Sequence, residues 1–258
     1  MFHPVIDSII FFVTGLCLGS FGNVCVYRIP LEESVNSPKR SYCPHCKKSI
    51  PWFLNIPLLS WLYLRGKCKS CHKKISWRYP IVELLIAVAF VLVFHRYGWS
   101  FSSLEYCIFA WGLIVASAID YDHMILPDIF TLSGIVLGLV GAYLNPEREL
   151  WDAFVGFGFG FGFLFLMSYG FYLLRGVEGM GGGDIKLIGW IGACLGWQSI
   201  PFTLFSSSLL GAVIGLIYLK KSGKGLEAGI PFGPFLSMGA LLYCLFDVQS
   251  FMQMFFPL

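Results

Sequence analysis

Two aspartates, Asp120 and Asp184, stand at the edges of apolar segments and could together hydrolyse an amide bond. Asp184 follows three glycines in the stretch 179–187, and Asp120 ends the apolar run 101–120. A carboxylate within or beside hydrocarbon is costly, so its presence indicates a function. Two such groups that converge can activate water and protonate the leaving amine, as in an aspartyl protease. The sequence therefore predicts a hydrolytic pair.

Two further aspartates compete with Asp120 for this role. Asp122 lies two residues later and could face water, and Asp128 follows Pro127, where it could simply begin a helix. A nucleophilic serine is disfavoured, because the one histidine near the segment, His123, sits where surface histidines are common. The residues alone leave the choice among the three aspartates open.

The positions of Asp120 and Asp184 suggest different roles in catalysis. If Asp184 begins a helix, free N–H groups and the positive end of the helix dipole stabilise its ionised form. Asp120, near a helix C-terminus, would face the opposite field. We therefore expect Asp184 to be the base, although two interacting carboxylates titrate as a unit and the roles can exchange.

Two Cys-x-x-Cys pairs, Cys43 with Cys46 and Cys68 with Cys71, lie in the polar segment 28–79. Twenty-one residues separate the pairs, and two such pairs complete a closed four-thiolate zinc site. A module this small also needs a metal because it cannot bury a sufficient core. His45 and His72 are alternative ligands, although exposed positions suit them better. The sequence predicts structural zinc bound by the four cysteines.

The composition is that of a multi-pass membrane protein: 57% of residues are hydrophobic and 13% charged, and the mean hydropathy is +0.72. Apolar runs near the roughly 20 residues of a spanning helix occur at 5–27, 80–97, 101–120, 127–144, 151–174, 185–200, 202–219 and 230–254. We predict an all-α polytopic membrane protein with about eight transmembrane helices and a small cytoplasmic zinc-binding loop module. Its parts are a first transmembrane helix (1–27), the loop module (28–79) and a transmembrane protease core (80–258).

The distribution of basic residues predicts the orientation, because cytoplasmic loops carry the excess of Lys and Arg. Eleven of the eighteen lie between Arg28 and Arg78, and alternation leaves only Arg96 and Arg148 outside. Both chain ends then face outward, and Asp120 and Asp184 lie at the cytoplasmic boundary. Because the basic residues serve topology and lipid headgroups, we expect contact with membrane lipid and no nucleic-acid partner.

Eight motifs occur together and in order along nearly the whole chain. They lie at 19–30, 43–46, 50–61, 68–71, 76–83, 119–128 and 180–187, followed by Ile-Pro-Phe-Gly-Pro-Phe at 230–235. This set resembles the type IV prepilin peptidases. The Gly-x-Gly-Asp element that ends at Asp184 is also similar to that of presenilin-type intramembrane proteases. The resemblance implies that Asp120 and Asp184 are the catalytic residues, ahead of Asp122 and Asp128.

The same resemblance implies an activity, a substrate and a location. Such enzymes cleave the short basic leader from type IV prepilins and pseudopilins at the cytoplasmic face of the bacterial inner membrane. Members with the cysteine-bearing loop also N-methylate the new N-terminal residue with S-adenosylmethionine. No strand–glycine–helix unit for a methyl donor is present in the sequence, and no residues are assigned to it. The substrate pilin and the oligomeric state are not predicted.

Several residues have two interpretations. Lys186 could anchor a substrate, and Glu83 could face the bundle interior or reach the membrane boundary. The glycines at 156, 158, 160 and 162 favour close helix packing over a site. Two other functions remain open: a scaffold whose zinc module docks a partner, and a proton-coupled transporter. A transporter would need acids near the bilayer centre and internal repeats, neither of which the sequence favours.

Overall fold

The computed structural model describes residues 4–177, 179–222 and 230–246. In this part of the chain the α-helices are α1 (Pro4–Arg28), α2 (Leu59–Tyr63), α3 (Arg78–Tyr97), α4 (Phe101–His123), α5 (Asp128–Leu144), α6 (Leu150–Arg175), α7 (Gly182–Leu195), α8 (Ser199–Ser222) and α9 (Gly233–Leu245). Two isolated antiparallel bridges, Tyr42 with Ser49 and Lys67 with Lys74, lie between α1 and α3. The predicted all-α membrane fold is confirmed.

Each of the eight predicted apolar segments corresponds to one helix. In chain order these helices are α1 and then α3 to α9. Five of them, α1, α3, α4, α6 and α8, are long and apolar enough to cross a membrane. The helix α7 has 14 residues, so it rises about 21 Å, less than the roughly 30 Å of a hydrocarbon core. The count of eight spans stays a prediction, and residues 247–254 of the last segment lie outside the described residues.

The chain divides into two compact units, residues 1–118 and residues 119–258. The boundary falls inside α4, so the last turn of that helix, which carries Asp120, belongs to the second unit. The division into segments 1–27, 28–79 and 80–258 stays a prediction.

In the first unit α1 and α3 pack with their backbones nearly touching. A Cβ atom added at Gly15 would lie 2.6 Å from the Cα of Ala87, and one added at Gly19 would lie 2.7 Å from the Cα of Glu83. Small residues permit this close approach, and the resulting van der Waals contact stabilises helix packing in a membrane. The indole N–H of Trp111 on α4 adds a hydrogen bond of 2.9 Å to the carbonyl of Leu18.

Glu83 joins the loop of the first unit to α3. Its side chain is buried, so of the two predicted orientations the structure shows the interior one. The Oε2 atom accepts a hydrogen bond of 2.8 Å from the backbone N–H of Leu58, directly before α2. Leu58 has a φ of 57°, an unfavourable value for a residue with a branched side chain. The buried carboxylate therefore helps to hold a strained turn.

The second unit is built around α7, which packs against α5, α6, α8 and α9. Its residues from Ile185 to Cys194 are nearly all buried. A Cβ atom at Gly156 of α6 would lie 2.2 Å from the carbonyl oxygen of Gly192, whereas one at Gly158 would have no atom of another element within 4 Å. Gly160 also packs on α7 and Gly162 does not. The predicted packing role therefore holds for Gly156 and Gly160 and not for Gly158 and Gly162.

Candidate active site and metal centre

Asp120 occupies the last turn of α4, and its side chain is 5% exposed. Asp184 occupies the first turn of α7, two residues after the helix begins. Its backbone N–H donates to the carbonyl of Gly181 at 3.1 Å. Each carboxylate therefore lies at the helix end that the sequence predicted: Asp120 at a C-terminal end and Asp184 at an N-terminal end.

The two carboxylates are close enough in space for the charge on Asp120 to act on Asp184. The side chain of Leu126 lies between the backbone at Gly183, next to Asp184, and the backbone at Gly233, next to Asp120. A Cβ atom at Gly183 would lie 2.8 Å from the Cβ of Leu126, and one at Gly233 would lie 3.2 Å from its Cδ1. The half-buried Leu126 thus contacts the backbone beside both aspartates, a role that sequence reasoning missed.

Gly233 supplies a hydrogen-bond donor to the site. Its backbone N–H donates to Oδ2 of Asp120 at 3.0 Å. Gly233 is the first residue of α9, with a proline in the first turn, so this N–H has no acceptor within its own helix. By contrast, Oδ1 of Asp184 is buried without a hydrogen-bond partner among the described residues.

The role of Gly233 was not predicted, although the motif 230–235 was singled out. A Cβ atom at this position would lie 2.6 Å from Oδ2 of Asp120, so glycine is required for the contact. A proline directly after a glycine at the start of a predicted helix marks free N–H groups. That signal shows a donor is present, but it does not identify the acceptor.

The competing aspartates are exposed, whereas Asp120 is buried. Asp122 is exposed in the last turn of α4. Asp128 is the first residue of α5, as its position after Pro127 suggested, and it is also exposed. It accepts a hydrogen bond of 2.6 Å from Nζ of Lys186, with which it forms an ion pair. Lys186 is therefore paired with Asp128, and its role as an anchor for a substrate stays a prediction.

The four cysteines of the loop form one cluster. Cys43, Cys46, Cys68 and Cys71 have sulfur atoms within 4.8 Å of one another, and those of Cys43 and Cys71 are 3.8 Å apart. A tetrahedral zinc ion with Zn–S bonds of about 2.3 Å requires sulfur atoms about 3.8 Å apart. The donor set and its spacing therefore fit zinc, and the exposed His45 and His72 are not part of the cluster.

Two similar turns bring the cysteine pairs together. In the first, the N–H of Lys47 donates to the carbonyl of Cys43, and in the second the N–H of His72 donates to that of Cys68, both at 2.9 Å. Lys47 and His72 also have nearly equal positive φ values, 57° and 56°. Hydrogen bonds from the backbone of Cys71 and Ser70 lower the pKa of the Cys68 thiol to about 7. The thiolate that a metal needs therefore forms readily there.

Two family models match the chain, one on each side of residue 100. The model of the bacterial peptidase A24 N-terminal domain matches residues 13–97, and that of the type IV leader peptidase family matches residues 107–216. The second match contains both Asp120 and Asp184, and the first contains the four-cysteine cluster. No solved structure matches the chain.

Curated relatives are similar over most of their length. A protein of Stutzerimonas stutzeri is 36% identical, with 96% of this chain and 93% of the relative covered. One of Aeromonas hydrophila is 39% identical over 88% and 86%, and one of Pseudomonas aeruginosa is 36% identical over 96% and 93%. Each of these relatives is named a prepilin leader peptidase/N-methyltransferase.

Proposed function

Because this chain belongs to the type IV leader peptidase family, we propose that it is an aspartic endopeptidase that removes the leader from type IV prepilins and pseudopilins. One observation carries the proposal: two carboxylates, 64 residues apart in the sequence, flank the same side chain, Leu126. This side chain contacts Gly183, next to Asp184, and Gly233, which donates to Asp120. Both carboxylates lie in the segment that the leader peptidase model matches. We assign Asp120 and Asp184 as the catalytic pair.

The pair hydrolyses the amide as a general base and a general acid. One carboxylate takes a proton from water, whose oxygen bonds to the scissile carbonyl carbon, and the other protonates the departing amine as the C–N bond breaks. The base must be ionised before it can accept a proton. The electric field at the helix ends stabilises the ionised form of Asp184, whereas hydrogen bonding stabilises the ionised form of Asp120. Oδ2 of Asp120 already accepts the N–H of Gly233, and this contact supports the anionic form. We assign the base to Asp120 and the acid to Asp184.

The relatives' name also supports a second reaction. We propose that the chain methylates the amine that cleavage exposes, with S-adenosylmethionine supplying the methyl group. The four thiols of Cys43, Cys46, Cys68 and Cys71 would hold zinc as a closed structural site, because four protein ligands leave no open position for a reactant. The metal would then stabilise the loop rather than take part in either reaction.

We place the enzyme in the bacterial inner membrane with its catalytic pair at the cytoplasmic face. The five long apolar helices support a multi-pass membrane protein. Asp120 and Asp184 lie in terminal turns rather than at helix centres, which suits reaction at a membrane boundary. Acids at helix ends also count against the transporter hypothesis, which needs coupling groups near the bilayer midplane.

Incubation of the purified chain with a synthetic prepilin and methyl-labelled S-adenosylmethionine tests both reactions. Mass spectrometry should show the free leader and a mature peptide heavier by one methyl group. A free leader with an unlabelled mature peptide would keep the peptidase assignment and refute the methyltransferase. If the purified chain cleaves no prepilin, the peptidase proposal fails and the scaffold hypothesis takes its place.

A further inference from the structure

A pocket of about 560 Å³ lies in the first unit, between one face of α1 and the loop that follows this helix. Its size is within the range of sites that bind small organic molecules. The lining residues that carry the argument are Cys17, Phe21, Val24, Arg28, Lys39 and Arg40. Neither the catalytic pair nor the four cysteines line it.

One end of this pocket is cationic. Arg28 is 3% exposed, and its guanidinium donates to the carbonyl oxygens of Ser34, Val35 and Pro38 at 3.1, 2.9 and 3.1 Å. These acceptors are neutral, and no carboxylate in the described part of the chain forms an ion pair with Arg28, Lys39 or Arg40. Buried charges are normally paired with an opposite charge. The pocket therefore presents positive charge that an anion could neutralise, in addition to the Tyr42 ring that lies 5.5 Å from the Arg28 guanidinium.

The other end is apolar and belongs to a membrane-spanning helix. Cys17, Phe21, Val24 and Arg28 follow one another at intervals of four, three and four residues, so they lie on one face of α1. Phe21 is 44% exposed and Cys17 is exposed as well. Because α1 is a candidate membrane span, this exposed apolar face suits lipid chains. The pocket thus has a cationic end directly above a hydrocarbon-facing surface.

We propose that this pocket binds one anionic phospholipid. The phosphate lies against Arg28, Lys39 and Arg40, and the upper part of the acyl chains follows Phe21 and Val24. A free phosphate ion would use only the cationic end. S-adenosylmethionine is a poor match, because its sulfonium and ammonium groups outnumber its single carboxylate and would face three cations. The orientation predicted for the loop also places the site at the cytoplasmic leaflet, whose lipids are acidic.

Lipid titration followed by native mass spectrometry tests the site. The purified chain in detergent is titrated with phosphatidylglycerol, with phosphatidylcholine, and with phosphatidylglycerol in the presence of excess inorganic phosphate. The same titrations are made on the double variant Lys39→Gln/Arg40→Gln. The matched control is Lys73→Gln/Lys74→Gln, which removes equal charge from exposed positions of the same loop outside the pocket. Arg28 is left unchanged because it holds the loop together.

The proposal expects one phosphatidylglycerol to bind the unmodified chain and the control equally. The Lys39→Gln/Arg40→Gln variant should bind it about thirtyfold more weakly. Phosphatidylcholine should bind far less, and inorganic phosphate should not displace the lipid. Equal affinity in both double variants would overturn the proposal. So would displacement by phosphate, which would show an anion site without lipid specificity, or equal binding of phosphatidylcholine, which would show that charge plays no part.

Discussion

The backbone nitrogen of Gly233 lies 3.0 Å from Oδ2 of Asp120, although the two residues are 113 positions apart in the sequence. The contact joins the first residue of α9 to the last turn of α4. It fixes the orientation of one carboxylate of the proposed pair without a second side chain.

Replacing Gly233 with alanine should therefore impair catalysis. The new Cβ would lie 2.6 Å from Oδ2 of Asp120, so the carboxylate must move. A displacement of about 1 Å at a reacting group costs roughly 100-fold in rate, and we expect a loss of that order in kcat/KM for leader cleavage. The control is Gly158→Ala on α6, where the added Cβ would have no atom of another element within 4 Å. If both variants cleave at the same rate, Gly233 does not position Asp120.

Exchange of either catalytic aspartate for asparagine should nearly abolish cleavage. We expect Asp120→Asn and Asp184→Asn each to reduce kcat by at least about 1,000-fold, because residues that act as a unit fail together. Asp122→Asn is the matched control, two residues from Asp120 but exposed. Single-turnover cleavage of a synthetic prepilin measures the effect. A fully active Asp120→Asn enzyme would shift the assignment to Asp122 or Asp128.

Asp128→Asn should have a small effect. The substitution removes the charge that pairs with Lys186, but the two side chains are 58% and 32% exposed, and exposed pairs contribute about 0–1 kcal/mol. We expect cleavage within a few-fold of the unmodified enzyme and a similar midpoint of thermal unfolding. A large loss of activity without a loss of stability would instead place Asp128 in the reaction.

The pH dependence of cleavage should show two acidic transitions. Activity should rise with pH as the base loses its proton and fall again as the acid loses its own, which gives a bell-shaped profile of kcat/KM. Because the two carboxylates interact, the two apparent pKa values of the profile describe the pair and not either residue. A profile that is flat through the acidic range would exclude an aspartate pair as the catalytic groups.

Removal of one loop cysteine should abolish stoichiometric metal binding. Cys71→Ser leaves three thiols and should lose zinc, whereas His45→Ala and His72→Ala should each retain one ion per chain, because neither histidine joins the cluster. The control is Cys17→Ser, at an exposed position on α1. This variant also loses one thiol but should retain its zinc. Elemental analysis of the purified variants gives the result. Zinc loss in a histidine variant would show a mixed ligand set.

The sequence predicted the features that depend on local pattern. Each of the eight apolar runs located one helix in the described part of the chain, and the spacing of Cys43, Cys46, Cys68 and Cys71 located the cluster. Helical periodicity could also have predicted that Gly156 and Gly160 pack on the same neighbouring helix and that the glycines between and after them do not, because residues four apart share one face.

Contacts between distant segments could not be predicted in this way. The acceptor of the Gly233 amide, the position of Leu126 and the pairing of Lys186 with Asp128 all depend on how separate helices meet. The cationic pocket was missed for a different reason, since Arg28 reads in the sequence as one more basic residue of a cytoplasmic loop. The irregular fold of the next few residues, which no sequence pattern predicts, buries its charge against neutral carbonyls.

The length of α7 has a consequence for the environment of the catalytic pair. Fourteen residues rise about 21 Å, about 9 Å short of a typical hydrocarbon core. Because α5, α6, α8 and α9 pack around α7, protein rather than lipid adjoins this short helix, and the surrounding bilayer need not thin to match its length. The first turn of α7, which carries Asp184, is therefore enclosed by neighbouring helices, and its carboxylate avoids the cost of contact with hydrocarbon.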